Sequence, residues 1–351
     1  MSVTPPAPAD EPADPGLARR LFNLRTLISF VVGFGLLAFL FSRLDLDLGR
    51  TVATIRRADP LLVLAAVVVY YLTFPVRGER WRRMLRNAGV ERPPSPMVLG
   101  GMIFLSWFMN CLVPAKLGDV YRAYLLRKRG GVSLSFAGGT VVAERLIDFA
   151  FVLILLGGSA LVVFRGRLPD QVVPFLEIGG AVLLAAGVAL LAVRRWERLV
   201  TRFLPSRLHG VYERFHGGTI GAFGSYGWLL LYTPLGWLAE IFRFWLVGEA
   251  LGLFQAEPVG QRFAISTFVA LGSAIFTTAA PTPGGLGAAE LAIVAALSLI
   301  GKSGELAIAA ALLDRLISYW SLILFGFVLY FAWEARGAVP VPTVPHHARR
   351  D

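Results

Sequence analysis

Eight ionisable side chains lie inside or at the margin of long apolar stretches of this sequence. They are Glu144, Arg145, Asp148, Glu240, Arg243, Glu290, Asp314 and Arg315. A charge at the centre of a bilayer costs about 2.5 to 3.5 kcal/mol or more, so such side chains are expected to pair or to line a polar cavity. Arginine binds phosphate through its planar fork, while carboxylates balance charge or relay protons. These residues predict either internal ion pairs or a site for an anionic group.

The spacing of the charged residues indicates which of them share a helix face. The i,i+4 pairs are Glu144 with Asp148 and Arg315 with Tyr319, and the i,i+3 pairs are Glu240 with Arg243 and Asp119 with Arg122. Residues at these separations are neighbours on a helix surface. Ion pairs that only lock a helix bundle would use the same spacing, so the spacing does not distinguish structural ion pairs from a site for an anionic group.

The elements that position these charges are predicted to lie in a membrane. Hydrophobic residues make up 56% of the 351 residues and charged residues 16%, whereas soluble domains have roughly 45 to 50% and about 25%. The net charge of +11 in so apolar a chain indicates cytoplasmic loops and anionic inner-leaflet lipids rather than nucleic acid. The apolar runs that suit membrane helices are Thr26–Ser42, Leu61–Val76, Val98–Ala115, Gly131–Phe164, Ile178–Val193, Gly227–Leu253, Phe263–Ile300 and Leu306–Trp333.

Clusters of Lys and Arg set the orientation, because they are retained on the cytoplasmic side. Those after the second and fifth runs are Arg77, Arg80, Arg82, Arg83, Arg86 and Arg92, and Arg194, Arg195, Arg198, Arg202, Arg207 and Arg214. The cluster after the third run would lie outside if that run were an ordinary crossing, so the run is predicted to be a re-entrant hairpin broken at Pro114. We expect an all-α, polytopic inner-membrane protein with about six full spans, two re-entrant segments and both termini in the cytoplasm.

The two halves of the chain share a repeated pattern. Pro114-Ala-Lys-Leu117-Gly118 matches Pro283-Gly-Gly-Leu286-Gly287, and about thirty residues later Glu144-Arg145-Leu-Ile matches Asp314-Arg315-Leu-Ile. The predicted topology places an odd number of full crossings between the two breaks, which would invert the second unit (263–333) relative to the first (98–164). Inverted repeats with broken helices are typical of alternating-access transporters.

The breaks themselves indicate a polar interior. Pro114, Pro281 and Pro283 remove backbone donors, and Gly284, Gly285 and Gly287 relax the helix. Lipid cannot satisfy the freed backbone groups, so such segments are tolerated only inside protein or beside a water-filled cavity. A helix that restarts near Leu286 would direct its positive N-terminus into that cavity, where a phosphate or carboxylate is favoured.

Two basic segments have the pattern of helices that lie on an anionic leaflet. Between Arg194 and Phe215 apolar residues recur at helical spacing among arginines, and Glu79–Arg86 carries Trp81 as an interfacial aromatic. Basic loops that only set the topology explain these segments equally well. Residues 1–20 and 334–351 are predicted to be disordered tails of a single transmembrane domain over 21–333.

Metal and enzyme chemistry is disfavoured, with one exception. Histidines occur only in loops or the tail, and Cys111 is the single cysteine, so no metal centre, disulfide or cofactor is expected. Asp45-Leu-Asp47 would suit the metal site of a membrane glycosyltransferase that uses polyprenyl-phosphate sugars. A solvated acidic loop explains this sequence more simply.

Four segments in order resemble the flippase-like membrane domain family, which includes the transmembrane part of lysylphosphatidylglycerol synthases. They are Asn110-Cys-Leu-Val-Pro114-Ala-Lys-Leu-Gly118-Asp119-Val-Tyr-Arg122, Glu144-Arg145-Leu-Ile-Asp148, Pro281-Thr-Pro283-Gly284-Gly285-Leu-Gly287-Ala-Ala-Glu290 and Asp314-Arg315-Leu-Ile-Ser-Tyr319. In the synthases this part is associated with flipping an aminoacylated lipid, and a separate domain performs the aminoacyl transfer. Only eighteen residues follow Trp333, so we expect this chain to lack the transferase and not to be an enzyme.

The resemblance and the residues together predict a lipid flippase for an anionic, zwitterionic or polyprenyl-phosphate-linked lipid. No ATP motif is seen, so transport would be downhill or ion-coupled. The predicted substrate-binding residues are Asn110, Lys116, Asp119, Arg122, Glu144, Arg145, Asp148, Arg243, Pro283, Gly284, Gly285, Gly287, Glu290, Asp314, Arg315 and Tyr319. The alternatives are the glycosyltransferase or another lipid-headgroup transferase, and an accessory subunit of a lipid-modifying complex. A homo-oligomer or a lipid-modifying enzyme is a possible partner.

Overall fold

A computed structural model of the chain describes residues 24–43, 48–113, 116–195, 205–224, 226–302 and 304–336. These residues form helices and connecting turns, with no strand among them. Asp45, Asp47 and Pro114, the segment 196–204 and most of both predicted tails lie outside the described residues.

Thirteen α-helices follow one another within the described ranges. They are α1 (Leu24–Arg43), α2 (Leu48–Arg56), α3 (Pro60–Asn87), α4 (Pro96–Leu112), α5 (Leu117–Gly130), α6 (Leu134–Val163), α7 (Val173–Arg195), α8 (Ser206–Gly221), α9 (Tyr226–Ala250), α10 (Val259–Ala279), α11 (Ala288–Leu299), α12 (Gly304–Arg315) and α13 (Ser321–Arg336). A 3₁₀ turn, Pro283–Gly285, separates α10 from α11, and a π turn, Leu316–Trp320, joins α12 to α13.

The helix bundle has the dimensions and the surface of a membrane protein. Four of its described helices are long and apolar enough to cross a bilayer, namely Pro60–Asn87, Leu134–Val163, Val259–Ala279 and the continuous helix Gly304–Trp333. Four shorter apolar helices accompany them, at Leu27–Phe39, Pro96–Leu112, Val173–Ala189 and Pro283–Leu299. Large apolar side chains such as Ile154 and Leu184 are about two-thirds exposed, at 68% and 70%. A lipid environment accounts for such exposure.

Helices α4 and α5 form a tight hairpin on either side of the predicted first break, so the run Val98–Ala115 supplies only the first arm and the basic segment after it supplies the second. The backbone N–H of Gly118 donates to Asn110 Oδ1 at 2.9 Å across the turn. A Cβ atom on Gly118 would lie 1.9 Å from the carbonyl oxygen of Ser106, so only glycine permits this approach. At the other end, Gly130 lies beside Pro94. The hairpin therefore begins and ends at the same side of the bundle.

The second break, between α10 and α11, depends on glycine backbone conformations. Gly284, Gly285 and Gly287 have φ angles of 57°, 69° and 82°, a region that residues with a Cβ rarely adopt. The chain resumes as α11 at Ala288, and the Gly287 N–H donates to Glu290 Oε2 at 2.8 Å. The predicted interruption of the run Phe263–Ile300 is confirmed, and Glu290 caps the helix that follows it.

The basic cluster after the second run, which is predicted to be a loop, lies in helix α3 from Arg77 to Arg86. Helix α3 is capped by Asp59 at its start and continues through Pro75 and Gly78 to Asn87. Its arginines Arg77 and Arg80 are only 3% and 1% exposed. Trp81, predicted to lie at a membrane interface, is fully buried and donates from Nε1 to Thr140 Oγ1 at 3.1 Å. The segment Glu79–Arg86 is thus a core helix rather than a surface helix.

The order of elements is the same in both halves. In the first half, α3 is followed by α4, a break, α5 and the long helix α6. In the second half, α9 is followed by α10, a break, α11 and the long helix from α12 to α13. Helices α3 and α9 pack closely against each other, and the two breaks lie beside them.

Candidate functional site

A cavity of about 200 Å³, lined by both charged and apolar side chains, lies among α3, α4, α9, α10 and both helix breaks. Eight of the predicted site residues line it: Asn110, Lys116, Asp119, Arg145, Arg243, Gly284, Asp314 and Arg315. Residues that are as far apart as 110 and 315 in the chain thus meet at one place. At the second break, Gly284 lines the cavity.

Two arginines from corresponding positions of the halves face the cavity with equivalent partners. Arg145, on α6, donates to both oxygens of Asp119 at 2.8 and 3.1 Å. Arg315, at the end of α12, donates from Nε to Glu290 at 3.0 Å and from Nη2 to the Gly284 carbonyl at 2.8 Å. Each carboxylate lies in the first turn of the short helix that follows a break. An equivalent ion pair in each half therefore ties the long helix to the short helix that follows the break.

A third arginine joins α9 to α12. Arg243 donates to Asp314 and lies 3.2 Å from Glu240 Oε2, so two carboxylates share one guanidinium. The ring of Tyr70 lies 5.6 Å from that guanidinium. The i,i+3 pair of Glu240 with Arg243 is confirmed, and both residues line the cavity.

Three predicted site residues form a buried ion-pair cluster behind the cavity wall. Arg80 lies 2.8 Å from Glu144 and 2.5 Å from Asp148, and Arg122 lies 3.0 Å from Glu144. Arg122, Glu144 and Asp148 do not line the cavity, and all are at most 3% exposed. Because each carboxylate has an arginine, this cluster is neutral and locks α3, α5 and α6 together.

The remaining predicted residues shape the second break. Pro283, Gly285 and Gly287 form its backbone, and Glu290 holds both Gly287 and Arg315. Tyr319, in the π turn, places its ring 4.5 Å from the Arg315 guanidinium and donates from its hydroxyl to the Cys111 carbonyl at 3.2 Å. Single π turns inside α-helices are frequent at functional sites. This tyrosine directly connects the first break region with the second.

Sequence reasoning missed several residues of the cavity wall. Tyr70, Arg77, Trp107 and Trp237 line it, but aromatic residues within apolar runs are ordinary core residues and gave no signal. Arg77 belongs to the basic cluster for which the sequence predicts a loop. Its position directly after the apolar run Leu61–Val76 is the available indication that it belongs to the same helix.

No group of three metal-binding side chains occurs in the part of the chain that the structure describes. The neutral polar residues of the cavity come mainly from α10 and the break after it, and include Ser273, Thr277, Thr278 and Thr282. Hydroxyls, guanidinium groups, an ammonium group, an amide and three carboxylates thus face a common space inside an apolar bundle. This arrangement suits an anionic polar group that needs several hydrogen-bond donors.

An apolar helix bundle with an arginine-lined cavity between two broken helices defines an integral membrane protein with an internal polar site. The chain belongs to the family described as the lysylphosphatidylglycerol synthase TM region, which matches residues 26–326. The resemblance stated from the broken-helix sequences is confirmed by this match.

Similar proteins come from archaea. A UPF0104 membrane protein of Methanocaldococcus jannaschii is 31% identical over 231 residues, which are 65% of this chain and 94% of that protein. A UPF0104 membrane protein of Pyrococcus horikoshii is 25% identical over 320 residues, covering 80% of this chain and 89% of the relative. Glycosyltransferase AglD of Haloferax volcanii is 27% identical over 346 residues, covering 86% of this chain and 53% of AglD. The chain thus spans about half of AglD.

Proposed function

We propose that this protein moves a lipid with a phosphate-bearing headgroup between the two leaflets of the inner membrane. The observation that carries the proposal is the cavity of about 200 Å³ inside the bundle, which is lined by Arg145 from the first half and Arg315 from the second. Lipid tails remain outside in such a mechanism, and only the headgroup needs a polar path. Polar backbone at membrane depth is tolerated where it faces a cavity of this kind.

The proposed topology has two inverted units with about six full spans, two re-entrant segments and both termini in the cytoplasm. Support comes from the hairpin α4–α5, which begins and ends at one side of the bundle. The recurring element order and the equivalent pairs Arg145–Asp119 and Arg315–Glu290 also support it. Transporters with this architecture alternate access by moving one unit against the other around a central site.

The two paired arginines would act on the headgroup without giving up their structural contacts. Arg145 is 40% exposed in its side chain even while it binds Asp119, and Arg315 lines the cavity while it holds Glu290 and Gly284. A headgroup that enters the cavity would meet their remaining N–H groups. Because one arginine belongs to each half, a shift between the halves would pass the headgroup from one to the other.

The name of one relative, Glycosyltransferase AglD, favours a second candidate function, a transferase for lipid-linked sugars. Asp45 and Asp47 would then hold the metal. Loss of sugar transfer in Asp45→Asn, together with dependence on a divalent cation, would support this candidate over transport.

The proposal is tested by reconstituting the full chain into vesicles that contain fluorescent phosphatidylglycerol. We expect labelled lipid of the inner leaflet to reach the outer leaflet faster than in protein-free vesicles, because the cavity shields the headgroup from the apolar core. An impermeant reductant outside the vesicles measures this rate, since it quenches only label in the outer leaflet. A parallel assay uses fluorescent polyprenyl phosphate. Vesicles with heat-denatured protein are the control. Exchange of both lipids at the protein-free rate would contradict the proposal.

A further inference from the structure

Arg77 differs from the other arginines that line the cavity. It lies on α3, is 3% exposed, and makes one long hydrogen bond, from Nη2 to the Gly236 carbonyl at 3.4 Å. Its Nε has no hydrogen-bond partner, and Arg77 forms no ion pair among the described residues. Burying a cation without a partner strongly destabilises a protein. A residue of this kind in a cavity wall indicates a missing anion.

The other arginines of the cavity already have carboxylate partners. Arg145 binds Asp119, Arg315 binds Glu290, and Arg243 binds both Asp314 and Glu240. With Arg77 and Lys116 included, five cations face four carboxylates around the cavity. The cluster of Arg80, Arg122, Glu144 and Asp148 behind the wall is neutral. The described residues therefore leave one positive charge in excess, which a ligand with a single negative charge would balance.

Two tryptophans hold the guanidinium of Arg77 in place. It lies 5.1 Å from the ring centres of both Trp107 and Trp237. The indole N–H of Trp237 donates to Asp148 Oδ1 at 3.0 Å, so the buried ion-pair cluster fixes this ring. Contacts of this type stabilise a buried cation and lie over its faces, so a phosphate oxygen would approach the edge of the guanidinium.

We propose that Arg77 binds the phosphodiester group of the transported lipid, with the ligand carrying one net negative charge. This inference rests on the proposed function and adds to it the binding residue and the charge of the substrate. It distinguishes phosphatidylglycerol, with one negative charge, from phosphatidylethanolamine, which is neutral overall. Trp107, Trp237 and Asp148 are positioning residues for Arg77.

The test compares Arg77→Gln, Arg77→Lys and the matched control Arg82→Gln, which changes an arginine of the same helix outside the cavity. Purified full-length protein is titrated with phosphatidylglycerol or phosphatidylethanolamine and followed by native mass spectrometry and thermal unfolding. We expect Arg77→Gln to bind phosphatidylglycerol at least tenfold more weakly, Arg77→Lys to lose less, and Arg82→Gln to stay within twofold of the wild type. Binding of phosphatidylethanolamine should differ little between the wild type and the variants.

Unfolding without lipid separates binding from a structural role. Arg77→Gln removes an unpaired buried charge, so it should melt at or above the temperature of the wild type while losing the stabilisation by phosphatidylglycerol. A lower melting temperature, or retained stabilisation by phosphatidylglycerol, would overturn the inference.

Inorganic phosphate identifies the source of the anion. Stabilisation by the lipid alone supports a headgroup site at Arg77. Equal, Arg77-dependent stabilisation by inorganic phosphate would keep the phosphate site but count against lipid transport. If the wild type transports lipid and Arg77→Gln does so equally well, the inference fails and the proposed function stands.

Discussion

Arg80→Met is expected to destabilise the protein by about 3 to 5 kcal/mol, the typical cost of removing one partner from a buried ion pair. Arg80 is 1% exposed and contacts both Glu144 and Asp148. Methionine fills a similar volume but leaves Asp148 without its cation, and Glu144 with Arg122 alone. The loss should be measured as a drop in the thermal unfolding temperature in detergent and in folded yield.

A compensating variant tests the cause of this loss. Glu144→Gln and Asp148→Asn, added to Arg80→Met, remove the uncompensated charges and should recover part of the stability. Arg262→Met, which breaks the partly exposed pair with Glu249, should cost much less than Arg80→Met. Equal losses for Arg80→Met and Arg262→Met would show that burial of the cluster does not decide its contribution.

The double substitution Arg145→Gln and Arg315→Gln is expected to slow lipid transfer by at least about tenfold, because hydrogen bonds to charged groups contribute about 1.5 to 3 kcal/mol each. Both arginines line the cavity, and each ties a long helix to a break. Glutamine keeps a polar side chain of similar length, but it lacks the positive charge and the planar array of N–H donors of the guanidinium group. Initial rates of label exposure in vesicles provide the measurement.

The control for this variant is Arg262→Gln, which removes an arginine with a carboxylate partner outside the cavity. It should transfer lipid at the wild-type rate. The double variant must also be folded, as judged by its elution as a single species. A folded double variant with wild-type transfer would remove the two arginines from the proposed path.

The sequence patterns predicted the breaks well because their causes are local. The glycines at 284, 285 and 287 adopt the left-handed conformations that their residue type permits, and the i,i+3 partners Glu240 and Arg243 form an ion pair. Family membership followed from the same segments. Backbone preference and helix periodicity act within a few residues, so a single sequence reveals them.

The cavity wall depends on contacts between distant segments, which the sequence does not reveal. Arg80 pairs with Glu144, 64 residues away, and Arg77 packs against Gly236, 159 residues away. The cluster of arginines after the second run predicts a basic cytoplasmic segment, with no indication of which of its side chains are buried. The structure places Arg77 and Arg80 inside the helix bundle, where buried carboxylates and aromatic rings stabilise their charges. For the same reason, Arg122 was expected in the cavity but lies behind its wall.

The central claim is that the two breaks enclose a polar chamber that admits a headgroup, and Cys111 tests it most directly. This is the single cysteine of the chain, and it lines the cavity beside Gly284. A small, charged, water-soluble thiol reagent should modify it in the folded protein in vesicles, and phosphatidylglycerol should slow the reaction relative to neutral diacylglycerol. Cys111→Ser gives the background. A thiol that reacts only after unfolding, or at a rate that phosphatidylglycerol does not change, would contradict the account.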